Sequence, residues 1–256
     1  MGAILIEAIQ GRGGINMAPP GFMKELRALC DEEHLVLIVD EVLTGFGRTG
    51  SLFAVEKSGI IPDLMCLGKG MANGFPISAC IGPARIMHSW GVSTGDAIHT
   101  STFLGNPLGA AVALAVIREI EEKKLVERSR QMGEVFRKGL WKLKEKHPLI
   151  ADVRGAGLMI GMEFCEPGAF TGKAKKPVPA TDKTRAFVAE ALRQGYVLLP
   201  SSPDHNVVSI TPPFIIDEEA IEHALDVFGR ILGPLEGLVP EKKAGFLGKF
   251  GFGVKH

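Results

Sequence analysis

Apolar positions in the first 120 residues fall into short runs separated by stretches of helical spacing. Ala3 to Ile6 is one such run, and Leu35 to Val39 is another, bounded by charge as strands buried on both faces are. Between them, Gly21 to Glu33 sets Phe22, Leu26 and Leu29 at helical spacing. Ile60 to Leu67 and Ile77 to Ile81 read as two further strands, with the glycine-rich Gly68-Lys69-Gly70-Met71-Ala72-Asn73-Gly74 between them. The alternation predicts an α/β unit with a mostly parallel sheet.

The pattern changes after Pro107. From there to Lys146 the chain is rich in Ala, Leu, Glu, Lys and Arg, which favours long helix, broken near Lys123 or Gly133. Val153 to Phe164 reads as one strand, Thr181 to Gln194 as a helix ended by Gly195, and Val197 to Leu199 and Val207 to Ile210 as short strands. Asp217 then caps a helix with Ile221, Leu225 and Phe228 on one face. The expected organisation is a partial large domain over 1–135, a smaller carboxyl-terminal α+β domain over 136–236, and a loose tail over 237–256 without periodicity. Ala3-Ile4-Leu5-Ile6 has the composition of a strand interior with no cap or charged leader before it, so the chain reads as opening in mid-fold.

Composition narrows the function classes. The 256 residues are 46% hydrophobic, enough for a sizeable core. Lys+Arg and Asp+Glu balance at 29 each, so net charge calls for neither nucleic acid nor an anionic membrane. No apolar run reaches the length of a membrane span. Cys30, Cys66, Cys80 and Cys165 form no C-x-x-C pair and sit mostly in apolar segments. They suit reduced core thiols and a cytoplasmic setting better than a disulfide framework. The histidines show no metal-ligand spacing.

Ile38-Val39-Asp40-Glu41-Val42-Leu43-Thr44-Gly45-Phe46-Gly47-Arg48-Thr49-Gly50 contains a literal G-x-G-x-x-G after an apolar run. A dinucleotide turn would place pyrophosphate at that strand end, where Asp40 and Glu41 would repel it. The acid wanted about 20 residues on has only Asp63 as a candidate, and Asp63 precedes a strand instead of ending one. The other reading starts from the carboxylate. Ligands of open α/β sheets sit outside the carboxyl ends of strands, where Asp40 lies and where an acid can hold a positive ring nitrogen. Lys69 stands between glycines that let backbone approach a ligand closely, and a lysine held in such a pocket can form a Schiff base. An acid for a pyridinium and a Schiff-base lysine are the two protein parts that pyridoxal phosphate needs. Taken singly, a strand-end Asp also serves as a cap or turn former, and a Lys between glycines as a surface charge.

Around these residues the sequence resembles the carboxyl-terminal two-thirds of a class III aminotransferase, of pyridoxal-phosphate fold type I. The resemblance rests on Glu7-Ala8-Ile9-Gln10-Gly11, on Asp40-Glu41-Val42 with Thr44 to Gly50, and on Pro62-Asp63 leading to Gly68-Lys69-Gly70. Ser101-Thr102-Phe103-Leu104-Gly105-Asn106-Pro107 and Val153-Arg154-Gly155-Ala156-Gly157-Leu158 complete it, and the matches run in order from residue 3 to about 235. It implies transamination between an amino donor, an amine or ω-amino acid, and a keto acid. Lys69 would carry the cofactor as a Schiff base and shuttle a proton. Asp40 would hold the ring nitrogen, Val42 would pack on the ring, and Thr102 would reach the cofactor phosphate of the neighbouring subunit in a homodimer. The glycines of the G-x-G-x-x-G stretch would then serve a tight turn.

The sequence departs from the family at three substrate-facing positions. Leu43 stands where ornithine, acetylornithine and 4-aminobutyrate aminotransferases usually have Gln, and is closer to the amine–pyruvate branch. Arg12 replaces an acid, and Ser209 replaces the arginine that clamps a substrate carboxylate. Arg12 is therefore a candidate carboxylate ligand through its planar fork, or else a solvated loop charge. The family's amino-terminal phosphate cup and stacking aromatic have no counterpart here. That leaves open a non-catalytic scaffold or split subunit, while aminomutase or decarboxylase chemistry shares the same lysine and aspartate.

Overall fold

A computed structural model describes residues 2–91, 94–95, 101–172 and 175–237. β1 (Ala3–Ile6) leads into a short antiparallel pair, β2 (Ile9–Gln10) and β3 (Asn16–Met17), and α1 (Phe22–Glu32) returns the chain to β4 (Val36–Asp40). β4 lies parallel to β1, with Ile4 opposite Leu37 and Ile6 opposite Val39. β5 (Leu64–Leu67) adds parallel to β4, and β6 (Ala79–Ile81) closes the order β1-β4-β5-β6 antiparallel to β5. The sheet is mostly parallel, and both candidate residues Asp40 and Lys69 follow from the carboxyl ends of its two central strands.

α1 takes a different phase from the one its largest side chain suggests. Met23, Leu26 and Cys30 face the sheet at i, i+3, i+7, whereas Phe22 and Leu29 are 40% and 46% exposed. The predicted strand at 60–67 is shorter, because Ile60 to Asp63 form the connection into β5.

After the short α2 (Ala84–Met87), Asn106 caps α3 (Pro107–Glu122), its Oδ1 accepting from Leu108 N at 2.9 Å, with Pro107 at the first helical position. α4 (Leu125–Lys146) follows a break at Lys123–Lys124, where Lys124 has a left-handed φ of 51°. Of the two predicted break points, Gly133 lies uninterrupted inside α4.

The run predicted as one strand over 153–164 is a hairpin, β7 (Ile150–Ala156) and β8 (Met159–Thr171), turning at Gly157–Leu158. β9 (Lys176–Pro179) pairs with β8; its two prolines hide it from a strand reading and confine it to an edge. α5 (Thr181–Arg193), β10 (Leu199–Ser201), β11 (Val207–Ile210) and α6 (Glu218–Glu236) complete an antiparallel sheet of order β10-β11-β8-β7. The strand expected at 197–199 is displaced to 199–201. Asp217 caps α6 through Ala220 N at 2.9 Å, and Ile221 and Phe228 are buried as the spacing predicts. Phe136, Phe164, Phe187 and Phe228 stack through the core between this sheet and helices α4 to α6. The expected tail at 237–256 lies outside the described residues from 238 onward.

The two sheets meet where three glycine-bearing segments cross. A Cβ on Gly133 would lie 2.0 Å from Gly157 O, one on Gly157 would lie 2.5 Å from Gly50 N, and one on Gly50 would lie 2.9 Å from Arg130 Cβ. Leu158 N donates to Arg48 O at 3.0 Å, and Ser129 Oγ donates to the same carbonyl at 3.2 Å. α4, the hairpin turn and the segment after β4 are thus in van der Waals contact at backbone distance.

Gly133→Ala is expected to destabilise the chain by about 2 kcal/mol or more, because backbone must move to admit the methyl group. Gly233→Ala, on an exposed face of α6, should change stability by less than about 0.5 kcal/mol, because the helix-propensity gain is offset by crowding of the new methyl group against the ring of Pro234. Urea unfolding of the two variants checks the contrast.

Candidate active site

The residues after β4 are shaped by a buried carboxylate. Glu41 is fully buried, and its side chain accepts from Thr44 Oγ1, from Ala54 N at 3.1 Å and from Val55 N at 2.8 Å. Those two N–H groups open a 3₁₀ turn at Ala54–Ser58, so Glu41 pins both ends of the 41–55 segment. Gly47 and Gly50, at φ 92° and 76°, and Phe46 at φ 56° make the turn between. The G-x-G-x-x-G pattern therefore folds as a tight turn around a carboxylate, with no helix amino terminus offered to a phosphate.

Asp40, next to Glu41, is the last residue of β4 and lies in register with Cys66 of β5. Its Oδ1 accepts from Val42 N at 2.8 Å, which fixes the carboxylate over the strand end, and Oδ2 has no partner among the described residues. Val42 lies against the neighbouring strand's exit, since a Cβ on Gly68 would stand 3.4 Å from Val42 Cγ1. Lys69 follows immediately, at a left-handed φ of 40°, exposed and without an ion-pair partner among the described residues. It begins a 3₁₀ turn, Lys69–Ala72, whose Met71 and Ala72 are buried against α3 with Leu67 and Phe46. Asp40, Val42 and Lys69 are thus brought together by two adjacent parallel strands and the turns that leave them.

Thr102 is not joined to this group within the chain. It lies in an exposed turn ahead of α3, with Phe103 and Leu104 74% and 63% exposed, and no hydrogen bond links it to Asp40, Val42 or Lys69. Arg12 lies on the loop between β2 and β3. Its carbonyl accepts from Ser201 Oγ at 3.1 Å and Ser202 N at 3.1 Å, and Gly14 O accepts from Arg154 Nη2 at 2.7 Å. The second sheet therefore holds the loop by its main chain and leaves the Arg12 side chain exposed. Leu43 is a packing residue whose methyl group would lie 2.1 Å from a Cβ on Gly11. Ser209 is on β11 opposite Leu199 and Gly161.

Two charged residues have structural work that their sequence context did not announce. Arg48 donates from Nη1 to Pro212 O at 2.6 Å and to Leu158 O at 3.2 Å, with its guanidinium 4.5 Å from the centre of the Phe214 ring. Burial pushes it down to about 10, so it stays charged at neutral pH. Asp63 bridges Arg27 at 2.8 Å and Leu37 N at 2.9 Å, with Arg85 at 3.0 Å. Burial works against its ionisation, but the Leu37 N–H and the Arg27 guanidinium outweigh it and hold the carboxyl below its ordinary range. Asp63 is thus committed to tying α1 to the sheet and is not free for a ribose. The expectation of core thiols holds for Cys30 and Cys165, which are buried, and fails for Cys80, which is exposed, while Cys66 is half-buried.

A cleft of about 820 Å³ lies elsewhere, lined by Tyr196, Val197, Pro213, Ile215, His223 and their neighbours. None of Asp40, Val42 and Lys69 lines it, and Tyr196 and His223 on its wall share a hydrogen bond of 2.6 Å. Among the described residues no group of His, Cys, Asp or Glu is arranged to hold a metal ion.

The model of the class III aminotransferases matches residues 1–232. The chain belongs to this family. It is 39% identical over 228 residues to the 4-aminobutyrate aminotransferase of Escherichia coli, covering 89% of this chain and 51% of that one. It is 40% identical to the acetylornithine aminotransferase of Caldanaerobacter subterraneus, covering 91% and 54%, and 38% identical to the leucine/methionine racemase of Thermococcus litoralis, covering 91% and 50%. Among solved structures, a transaminase from the marine bacterium Virgibacillus superposes with a TM-score of 0.83 at 30% identity, covering 91% of this chain and 53% of that one. The chain spans about half the length of the curated relatives it matches.

Asp63→Asn should destabilise the chain by about 1.5 kcal/mol or more at pH 7, the loss of a charged hydrogen bond. Because the folded pKa is depressed, the wild-type advantage is fully present above about pH 4 and shrinks as pH falls through the lower folded value. The wild-type and Asp63→Asn unfolding curves should therefore stand apart at neutral pH and converge at acidic pH.

Proposed function

We propose that this chain serves pyridoxal-phosphate-dependent transamination, passing an amino group from an amine or ω-amino acid to a keto acid. The observation that carries the reading is the pairing of Asp40, with one carboxylate oxygen unclaimed, and Lys69, an unpaired amine at the exit of the adjacent strand. Several relatives bear the name aminotransferase, which supports the same reaction class. The residues present fit the cofactor: a carboxylate for a ring nitrogen, an amine for an aldehyde, and an apolar side chain between them. When bound, pyridoxal phosphate supplies an aldehyde that exchanges amines and a ring that accepts electrons from the substrate carbon.

The protein's own groups divide the remaining work. Asp40 Oδ2 would hold the cofactor's ring nitrogen and favour its charged form, while Val42 N keeps the carboxylate oriented from Oδ1. Lys69 Nζ would be the amine that holds the cofactor's aldehyde and the base that moves the proton at the substrate carbon. Val42 offers its isopropyl group as an apolar wall beside Gly68. Thr102, exposed on its turn, is free to reach a phosphate held by a second copy, so the proposal includes a homodimer with a shared site. Arg12 extends from a loop fixed at its backbone and is the proposed carboxylate ligand for the acceptor. A cytoplasmic location belongs to the same proposal, which the four free thiols suit. No helix among the described residues is long and apolar enough to cross a membrane.

A non-catalytic scaffold is the poorer reading, because Asp40 and Lys69 leave adjacent parallel strands whose exits meet at Val42 and Gly68. A second catalytic reading, rearrangement at the amine-bearing carbon without net amino transfer, is favoured by the 38% identity to a relative named a racemase. Formation of a keto product from the donor separates the two.

With pyridoxal phosphate added, the chain should show a band near ~420 nm that borohydride traps on the peptide containing Lys69, and Lys69→Ala should abolish it. A band that survives Lys69→Ala would overturn the assignment. Arg12→Ala should raise the Kd for a simple keto acid about tenfold, the loss of a charge-assisted hydrogen bond worth roughly 1.5 kcal/mol. Calorimetric titration reads this, and a change below about threefold would return Arg12 to a solvated loop charge.

A further inference from the structure

Cys66 and Cys80 face each other directly across the antiparallel pair β5·β6. Residues so placed present their side chains on one face of the sheet, with Cα atoms about 4.5 to 5.5 Å apart, inside the span a disulfide bridges. The two thiols are close enough for Cys80 to bear on the ionisation of Cys66. They differ in surroundings. Cys80 is exposed on β6, an edge strand among the described residues, whereas Cys66 is half-buried beside Asp40. Cys30 is fully buried in another core cluster, and Cys165 is buried beside Glu163 and Asn206.

We infer that Cys66 and Cys80 form a reversible thiol–disulfide modification site for peroxide, with Cys80 the thiol attacked first and Cys66 the resolving thiol. The Cys80 thiolate takes an oxygen atom from hydrogen peroxide, releasing hydroxide, which leaves as water with the Cys80 proton, and Cys80 becomes a sulfenic acid. The Cys66 sulfur then displaces that oxygen as a second water, forming the S–S bond. Two thiols lose two electrons and two protons in total, and one peroxide is reduced to two waters. Burial, with Cys80 and Asp40 alongside, pushes the Cys66 thiol up, which suits the partner that stays protonated until the second step.

The site is independent of the transamination reading, although its position gives it a consequence there. The bond would close a loop running from Cys66 to Cys80, and that loop carries Gly68, Lys69 and the left-handed Asn73 and Gly74. Oxidation would tie together both ends of the segment that presents the lysine amine.

The test uses the full chain, treated with hydrogen peroxide while folded, alkylated to block free thiols, and digested with trypsin without reduction. Cys66 and Cys80 fall on separate peptides, 58–69 and 70–85, divided by cleavage at Lys69. The expected result is a single cross-linked species joining these two peptides, lost on reduction, with Cys30 and Cys165 still unoxidised. In Cys66→Ser, a 1,3-dione probe should trap sulfenic acid on Cys80, at least about tenfold more than it traps Cys66 in Cys80→Ser. Free Cys66 and Cys80 after peroxide treatment, Cys80 driven to sulfinic acid without a cross-link in the wild type, or a cross-link involving Cys30 or Cys165 would each overturn the inference. The wild-type peptide map stands alone should either serine variant fold poorly.

Discussion

The site depends on a carboxylate that never meets solvent. Glu41 collects a hydroxyl and two backbone N–H donors, and an ionised group taken out of water needs that many partners to be tolerated at all. Satisfying it forces residues 41 to 55 into a closed loop, and the closure fixes where Asp40 points on one side and where Arg48 emerges on the other. Of the two adjacent acids, one builds the frame, and its neighbour keeps one carboxylate oxygen without a partner among the described residues.

Arg48 carries the same frame across to the second sheet. Its side chain reaches Pro212 and Leu158, while its own carbonyl receives Leu158 N and Ser129 Oγ, so a single residue is bonded to the second sheet's turns and to α4 from both main chain and side chain. The glycines at 50, 133 and 157 let these segments approach to backbone contact. Arg154 repeats the arrangement on a smaller scale at Gly14, which anchors the loop bearing Arg12. Positions far apart in sequence are joined here by arginine-to-carbonyl bonds, which need no matching carboxylate and so leave no complementary charge pattern along the chain.

This explains what the sequence disclosed and what it did not. The α/β alternation, the strand-end aspartate, the lysine between glycines and the cap at Asp217 are local features, and periodicity or residue type is enough to read them. The phase of α1 is not legible from the spacing of Phe22, Leu26 and Leu29, because Met23, Leu26 and Cys30 are spaced as well and the sheet accepts those. The turn inside 153–164 has no proline, Asn-Gly or Asp-Gly to mark it, and is made by Gly157 at a φ of 53°. Glu41, Arg48 and the cross-strand placement of Cys66 and Cys80 become visible only once segments tens of residues apart are in contact.

Lys69 adopts a backbone conformation that favours glycine, and a side chain there carries a steric cost of about 1 kcal/mol. Its neighbours Gly68 and Gly70 lack that burden, so the strain sits on the one residue of the three with an amine. A redesign of this chain for stability alone would converge on glycine at position 69 and lose the amine to which the proposed reaction is assigned. Thermal robustness and chemistry therefore pull in opposite directions at a single φ angle, and any stabilising programme has to leave that angle alone.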